Sequence, residues 1–389
     1  MLEKRTFKEL LVDMELRNLQ NNIVGQEASR LFARAEINMG VEAFRDSLYS
    51  LLKRNTFLNI KFENMLDTLG EISRTDIRSL LGEWEKTTPL PFYSLGEPTL
   101  TKITNKGGEE FFVLKMLISN NSDYDGIIHM DIRKDGWWYQ PLEDPRAKTK
   151  IEMPAHTSKE FVSVWEDQIR NVEINTMVSG NLPNIISQDI NNVKQERNKI
   201  VKDSIYILPE SSFDLPGEII VDNEDSTLFI LSAPPIVGLL PKWLDEVEET
   251  PFKYSGISWW RPPLQWTATT NDRYYGKYIR SAFVIKSGDG SQTATWKVPV
   301  PEVGQYDLYY HVFKDDELRW NNNLQGEYHF KVKYGSEVED AYVNLRKANE
   351  GWEQLGSYYF DSDTIRVVLT DECKLRSVTA DAVKIVKRY

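Results

Sequence analysis

The chain has 389 residues, 41% of them apolar, and 47 lysines and arginines stand against 59 acidic residues for a formal charge of −12. This length exceeds what one hydrophobic core usually serves, so two or three domains are expected. The acidic balance opposes the phosphate attraction on which nucleic-acid affinity depends, and no nucleic-acid partner is expected. The single cysteine, Cys373, excludes an internal disulfide framework. With no histidine near it in sequence it reads as an idle thiol in a turn, and it leaves the compartment open.

Met1-Leu2-Glu3-Lys4-Arg5 leads into a charged amphipathic pattern and not into an apolar signal segment. The most apolar run, Leu228 to Leu244, is interrupted by Pro234, Pro235 and Pro241 and is shorter than the roughly 20 apolar residues a bilayer requires, so no membrane span is expected.

From Phe7 to Trp84 the periodicity is helical. Val41, Phe44, Leu48, Leu51 and Leu52 fall on one helix face, Phe62, Met65, Leu66 and Leu69 on the next. Ser73 and Asp76 precede Ile77, Leu80, Leu81 and Trp84 as a capping pair for a third helix that ends before Pro89 and Pro91. The order Gly40-Val41-Glu42-Ala43-Phe44, then Phe62 and Leu66, then Asp76-Ile77 to Trp84 and Leu90-Pro91-Phe92 resembles the C-terminal portion of M1-type metallopeptidases. The zinc-binding His-Glu-x-x-His helix of that family is absent. His129, His156, His311 and His329 include no pair at the required spacing, so peptidase activity does not carry over.

Between Gly96 and Val178 the period becomes two. Phe112, Leu114, Met116 and Ile118 alternate with their neighbours, as do Ile128, Met130 and Ile132, and further strands are expected at 150–153, 161–165 and 172–178. Residues 96–186 are therefore expected to form a small antiparallel sandwich after a helical bundle over 1–95. The polar segment from Gln188 to Lys202 lacks an apolar face, and 187–217 is expected to be a linker.

The last part, 218–389, is again β. Tyr306, Leu308, Tyr310 and Val312 form one alternating face and Tyr328, Phe330, Val332 and Tyr334 another, with strands at 342–345, 365–369 and 383–386. Gly288-Asp289-Gly290 is a hairpin turn signal. Val221-Asp222-Asn223-Glu224-Asp225, Tyr274-Tyr275-Gly276, Trp296, Pro301 with Gly304-Gln305-Tyr306, Gly351-Trp352-Glu353-Gln354-Leu355-Gly356 and Ala380-Asp381-Ala382-Val383 occur in that order. Together they resemble the golvesin C-terminal-like domain, also described as xanthan-lyase carbohydrate-binding-like. The fold class expected for the whole chain is multidomain α+β, a small helical bundle followed by two antiparallel β-sandwich domains.

The resemblance implies a binding module, and a polysaccharide or cell-surface glycan as partner. Aromatic rings suit the C–H faces of sugars, and planar polar side chains suit their hydroxyls. Trp296 and Trp352, inside strand motifs, read as core. Trp259, Trp260, Arg261, Trp266, Tyr275, Arg319, Trp320 and Asn322, in or beside loop-like sequence, are the candidate ligand contacts. Asp222, Asp225 and Asp381 offer hard oxygens for a structural calcium where the first and last strands meet, although turn and capping hydrogen bonds explain the same residues; no other cofactor is expected. Tyr309, His311, Arg319 and Asn322 have the residue types a polysaccharide lyase uses, but in sequence they are composition without geometry. The expected role is non-catalytic recognition within a larger exported bacterial protein, periplasmic or extracellular, whose upstream domains would be further partners. A polysaccharide lyase, a remnant of an M1-type aminopeptidase and a structural interaction domain are the alternatives. The apolar face of the helical part should then be left exposed.

Overall fold

The computed structural model describes residues 5–13, 17–56, 58–73, 76, 78, 89–105, 107–134, 140–190, 192–197, 201–209, 217–232, 253–254, 256–258, 260–314 and 326–388. They fall in two compact units, residues 1–213 and 214–389.

The first unit opens with helices α1 (Phe7–Val12), α2 (Arg17–Met39), α3 (Val41–Arg54) and α4 (Phe62–Ser73). A capping box starts α1: the Thr6 hydroxyl accepts from the Glu9 N–H at 3.1 Å and the Glu9 carboxylate from the Thr6 N–H at 2.8 Å. Phe44 and Leu51 pack with Leu31, Leu66 and Leu69 in the small core of these helices. Val41 and Leu52, expected on the same buried face, are instead 59% and 63% exposed. The apolar stripe is wider than the area α2 and α4 cover, so its margins meet solvent. Of the expected third amphipathic helix, Ile77, Leu80, Leu81 and Trp84 lie outside the described residues; Arg78 forms ion pairs with Glu63 and Asp67 of α4.

The same unit continues as a sandwich of β1 (Tyr93–Leu95), β2 (Thr99–Thr104), β3 (Glu110–Asn120), β4 (Gly126–Lys134), β5 (Gln140–Pro141), β6 (Lys148–Met153), β7 (Thr157–Trp165), β8 (Ile169–Asn175), β9 (Ile185–Asp189), β10 (Val193–Arg197) and β11 (Ser204–Pro209). One sheet runs β10-β2-β3-β7-β11 with β1 on β3, the other β5-β4-β8-β9 with β6 on β4. The alternating residues Leu114, Met116, Ile118, Ile128, Met130 and Ile132 all point into the core between them. The linker expected over 187–217 is corrected here: β10 pairs in parallel with β2, and β11 pairs antiparallel with β7. Both are edge strands with largely solvent-facing side chains, and such strands show no apolar alternation. Asn181 ties this sandwich together, its side chain accepting the Tyr93 N–H at 2.9 Å and donating to the Tyr93 carbonyl at 2.8 Å.

The second unit contains β12 (Glu218–Asp222), β13 (Phe229–Leu231), β14 (Thr267–Thr270), β15 (Ser281–Lys286), β16 (Thr293–Pro299), β17 (Gly304–Val312), β18 (Glu327–Tyr334), β19 (Glu337–Asn344), β20 (Gly351–Phe360), β21 (Thr364–Thr370), β22 (Ser377–Ala380) and β23 (Ala382–Lys387). They build a sheet β12-β23-β17-β20, a sheet β13-β16-β21-β18-β19 and a short sheet β14-β15-β22. Tyr306, Leu308, Tyr310 and Val312 of β17 meet Tyr328, Phe330 and Val332 of β18 in one core, as their alternation requires. Trp296 lies at its centre with no exposure. The Gly288-Asp289-Gly290 run is not a hairpin, because it joins β15 to β16 and these lie in different sheets. The buried Asp371 carboxylate holds that crossover by accepting the N–H groups of Gly290 at 2.8 Å and Gln292 at 3.2 Å. Cys373 follows between β21 and β22, and burial pushes its thiol up, away from the reactive thiolate.

Asn181→Ala should destabilise the first unit by about 2–4 kcal/mol, because it leaves both backbone groups of Tyr93 buried and unpaired. Trp296→Ala should cost the second unit about 3–5 kcal/mol through the cavity it opens. Denaturant titrations of the two variants check both values.

Candidate functional site

One end of the second unit collects most of its chemically unusual residues. The chain leaves the short sheet at Ala380 and enters the four-stranded sheet at Ala382, so Asp381 sits at the switch between them. Its side chain is fully buried. The carboxylate accepts the Tyr275 N–H at 3.1 and 3.2 Å and pairs with His311 Nδ1 at 2.8 Å, while its carbonyl accepts from Trp296 Nε1 at 3.3 Å. Burial pushes the carboxyl above its ordinary range, with His311 acting against that shift.

The loop between β14 and β15 supplies Tyr275. Its motif Tyr274-Tyr275-Gly276 has a division of labour. Tyr274, 2% exposed, plugs the interior against Phe313, with ring centroids 4.6 Å apart. Tyr275 gives its N–H to Asp381. At Gly276, where φ is +151°, a Cβ would lie 1.9 Å from the Ile279 carbonyl, so no larger residue fits.

Across the sheet from Asp381, His311 is the direct cross-strand neighbour of Trp352. The rings of Tyr275, His311 and Trp352 touch in all three combinations, with centroids 5.1 to 5.8 Å apart. Lys384 reaches over Trp352 at 4.8 Å and over Tyr309 at 5.4 Å while holding Glu218 at 2.9 Å. Tyr275, Tyr309, His311 and Trp352 are all partly exposed. The expectation that Trp352 is core is therefore corrected. A β-bulge between Leu308 and Tyr309 gives β20 one extra residue, Leu355, which packs on the core. Counting back from the buried Phe360 and Tyr358 in steps of two would place Trp352 inside; the bulge reverses that parity and turns it to the outer face.

Asp222 ends β12 opposite Ala382, next to Asp381. Burial, reinforced by the charge of Asp381, pushes its carboxyl up to about 9. The amide of Asn223 packs between it and β15, donating to Asp222 Oδ1 at 2.8 Å and to the Ser281 carbonyl at 2.7 Å and accepting from the Ser281 hydroxyl at 2.7 Å. Glu224 lies against the Ser281 hydroxyl and pairs with Lys253 at 2.5 Å. Asp225 Oδ2 accepts the Asp222 N–H at 3.1 Å. The three aspartates considered for calcium thus serve a hydrogen-bonded turn and two buried contacts, and among the described residues no group of three or more His, Cys, Asp or Glu is arranged to hold a metal.

The other sequence candidates are dispersed. Trp266 packs against the sandwich core. Trp260, 78% exposed, and the exposed Arg261 sit at the opposite end of the short sheet: the Arg376 guanidinium lies 4.9 Å over the Trp260 ring, just before β22, whereas Tyr275 and Asp381 lie beyond its other end. Trp259, Arg319, Trp320 and Asn322 lie outside the described residues. Sequence reasoning missed Trp352 and Lys384 as surface residues, and named His311 by residue type without its partner; the 70-residue separation of His311 from Asp381 leaves no local signal of their pairing.

The Asp222 shift has a definite sign. The folded chain keeps a proton that the unfolded chain releases around the ordinary value of 3.8, so the stability contributed by this group is full in acid and is lost as pH rises toward 9. Asp222→Asn keeps an acceptor for the Asn223 N–H and removes the ionisation. Its melting temperature should match the parent only below about pH 3.8 and exceed it increasingly as the pH rises, by at least roughly 5 °C at about pH 8 in thermal scans.

Comparison with known proteins adds the following. A search of curated proteins found no significant match. Among solved structures the chain is similar to TmCBM61 in complex with β-1,4-galactotriose, at 16% identity and a TM-score of 0.18 over 31% of this chain and 77% of that one. It is also similar to Bacteroides uniformis β-glucuronidase, at 12% identity and a TM-score of 0.22 over 82% of this chain; the match spans 32% of that enzyme. Both scores are too low to assign a shared fold. Residues 262–387, from just before β14 to the end of β23, match the family model of the Golvesin C-terminal domain.

Proposed function

We propose that the second unit is a glycan-recognition module of an exported protein, periplasmic or extracellular, and that its contact surface is the Tyr275–His311–Trp352 cluster. The observation that carries this reading is three mutually touching rings left partly exposed on the solvent face of a sheet, away from the core. Rings so placed present flat apolar area to the C–H face of a sugar. The buried Asp381 fixes the His311 ring, so the surface is preorganised and loses little freedom on binding. Lys384 and Glu218 add a charged donor and an acceptor at its border. The match to a Golvesin C-terminal domain, a domain type of secreted proteins, supports the exported setting. No helix among the described residues is long and apolar enough to cross a membrane.

A second reading rests on the same pair. A histidine oriented by a buried carboxylate is hardware for proton transfer, and with Tyr275 beside it this is compatible with a polysaccharide lyase. Glycan-array retention combined with an ultraviolet assay for unsaturated sugar products separates the two. For the module, Trp352→Ala and Tyr275→Ala should each weaken retention at least about tenfold with an unchanged fold by circular dichroism, and no product absorbance should develop. Growing absorbance that His311→Ala abolishes would assign the lyase instead.

A further inference from the structure

The two edges of the sheet β10-β2-β3-β7-β11 in the first unit are built differently. β10 exposes the charged side chains of Lys194 and Glu196, the usual protection of an edge against pairing with another chain. β11 has no charged residue from Ser204 to Pro209, and its register on β7 runs without a bulge. Ile205, Tyr206, Ile207 and Leu208 are 45%, 51%, 73% and 38% exposed, so apolar side chains stand in solvent on both faces of the strand. Only Pro209, at its end, lacks an N–H.

The pairing determines which backbone groups of β11 are free. The Val164 N–H donates to Asp203 Oδ1 at 2.8 Å, so the even-numbered residues of β7 turn their polar groups toward β11. The Gly96 N–H donates to the Leu117 carbonyl on the side of β3 away from β7, and Leu117 lies opposite Glu160, which requires the same phase. Ser204, Tyr206 and Leu208, opposite Val162, Glu160 and Ser158, therefore bond to β7. The N–H and C=O groups of Ile205 and Ile207 face outward. Both isoleucine side chains lie on the face of Phe161, and that of Tyr206 lies on the face of Glu160.

We propose that β11 pairs antiparallel with β11 of a second copy of this chain, about a two-fold axis at Tyr206. This register sets Ile205 opposite Ile207 of the second copy and Ile207 opposite its Ile205, so two pairs exchange four N–H···O bonds and satisfy every outward group of the isoleucines. Four isoleucines then share one face, and two Tyr206 rings meet on the other. Centring on Ile207 would instead set Ile205 opposite Pro209, which has no N–H, and centring on Ile205 would set Ile207 opposite the charged Asp203. Among the described residues the charges beside β11 are Lys159 and Glu160 on β7 and Lys202 and Asp203 before the strand, two of each sign, so self-pairing meets no block of like charge. Four half-exposed side chains and a six-residue edge from each copy bury on the order of 1,000 Å² in total, the lower limit for a specific interface, so the dimer is weak and reversible. An extended segment of another protein would satisfy the same backbone groups, but only a second copy requires the self-complementary spacing of Ile205 and Ile207.

The test is sedimentation velocity of the full chain over a concentration series. The parent should shift from monomer to dimer as its concentration rises. Tyr206→Lys and Tyr206→Glu should each weaken self-association at least about tenfold, because each sets like charges opposite one another at the axis, and an equimolar mixture of the two should restore a dimer. Gln195→Lys, on the charged edge β10, should leave association unchanged. Tyr206 and Gln195 are exposed, so circular dichroism of the variants should match the parent. A parent that stays monomeric up to about 1 mM overturns the proposal. So does a dimer that the Tyr206 variants leave intact, or a mixture of the two that does not associate. A monomeric parent that binds a labelled peptide of alternating valine and threonine through β11 also overturns it, and would assign the edge to a strand of another protein.

Discussion

A single fully buried carboxylate organises the second unit. An uncompensated charge at the position of Asp381 would be prohibitive, so its surroundings are arranged to supply donors. One comes from the loop between β14 and β15, through the Tyr275 N–H, and one from the end of β17, through His311. The residue's carbonyl takes the indole N–H of Trp296, the largest side chain of the core. Three segments far apart in sequence are thereby fixed to the point where the chain passes from one sheet to another. The partly exposed rings at the surface hold their positions because of what lies beneath them.

The cost of this arrangement appears next door. Asp222 ends its strand beside Asp381, and burial with a second carboxylate nearby keeps its own carboxyl protonated far above the usual range. Asn223 and Ser281 absorb the remaining hydrogen-bonding demand. Local stability has been given up where the strands of two sheets meet, as is common where a surface must be held in one geometry.

The residues differ in how legible they were. The inward faces of β3, β4, β17 and β18 follow from period-two alternation, because a strand with one dry and one wet face must alternate. Edge strands β10 and β11 escape that logic, since solvent reaches them without regard to pattern, and their polar or uniformly exposed sequences resemble a linker. Trp352 escapes it for another reason. The bulge at Leu308 and Tyr309 adds one residue to β20, and parity beyond the bulge is reversed. Nothing in the letters Gly351 to Gly356 announces that insertion, although Gly351, at a φ of +96°, marks where the strand begins.

The sequence by itself determined the fold class, the inward faces of β3, β4, β17 and β18 and the ordered motifs that match the Golvesin C-terminal domain model, because alternation, turn residues and obligatory glycines are local constraints. Tertiary structure alone decided which residues meet. It placed Tyr275 with His311, Trp352 and Asp381 at one end of the short sheet and Trp260 with Arg376 at the other, because sheet register, one bulge and one buried charge act over separations that no local pattern encodes.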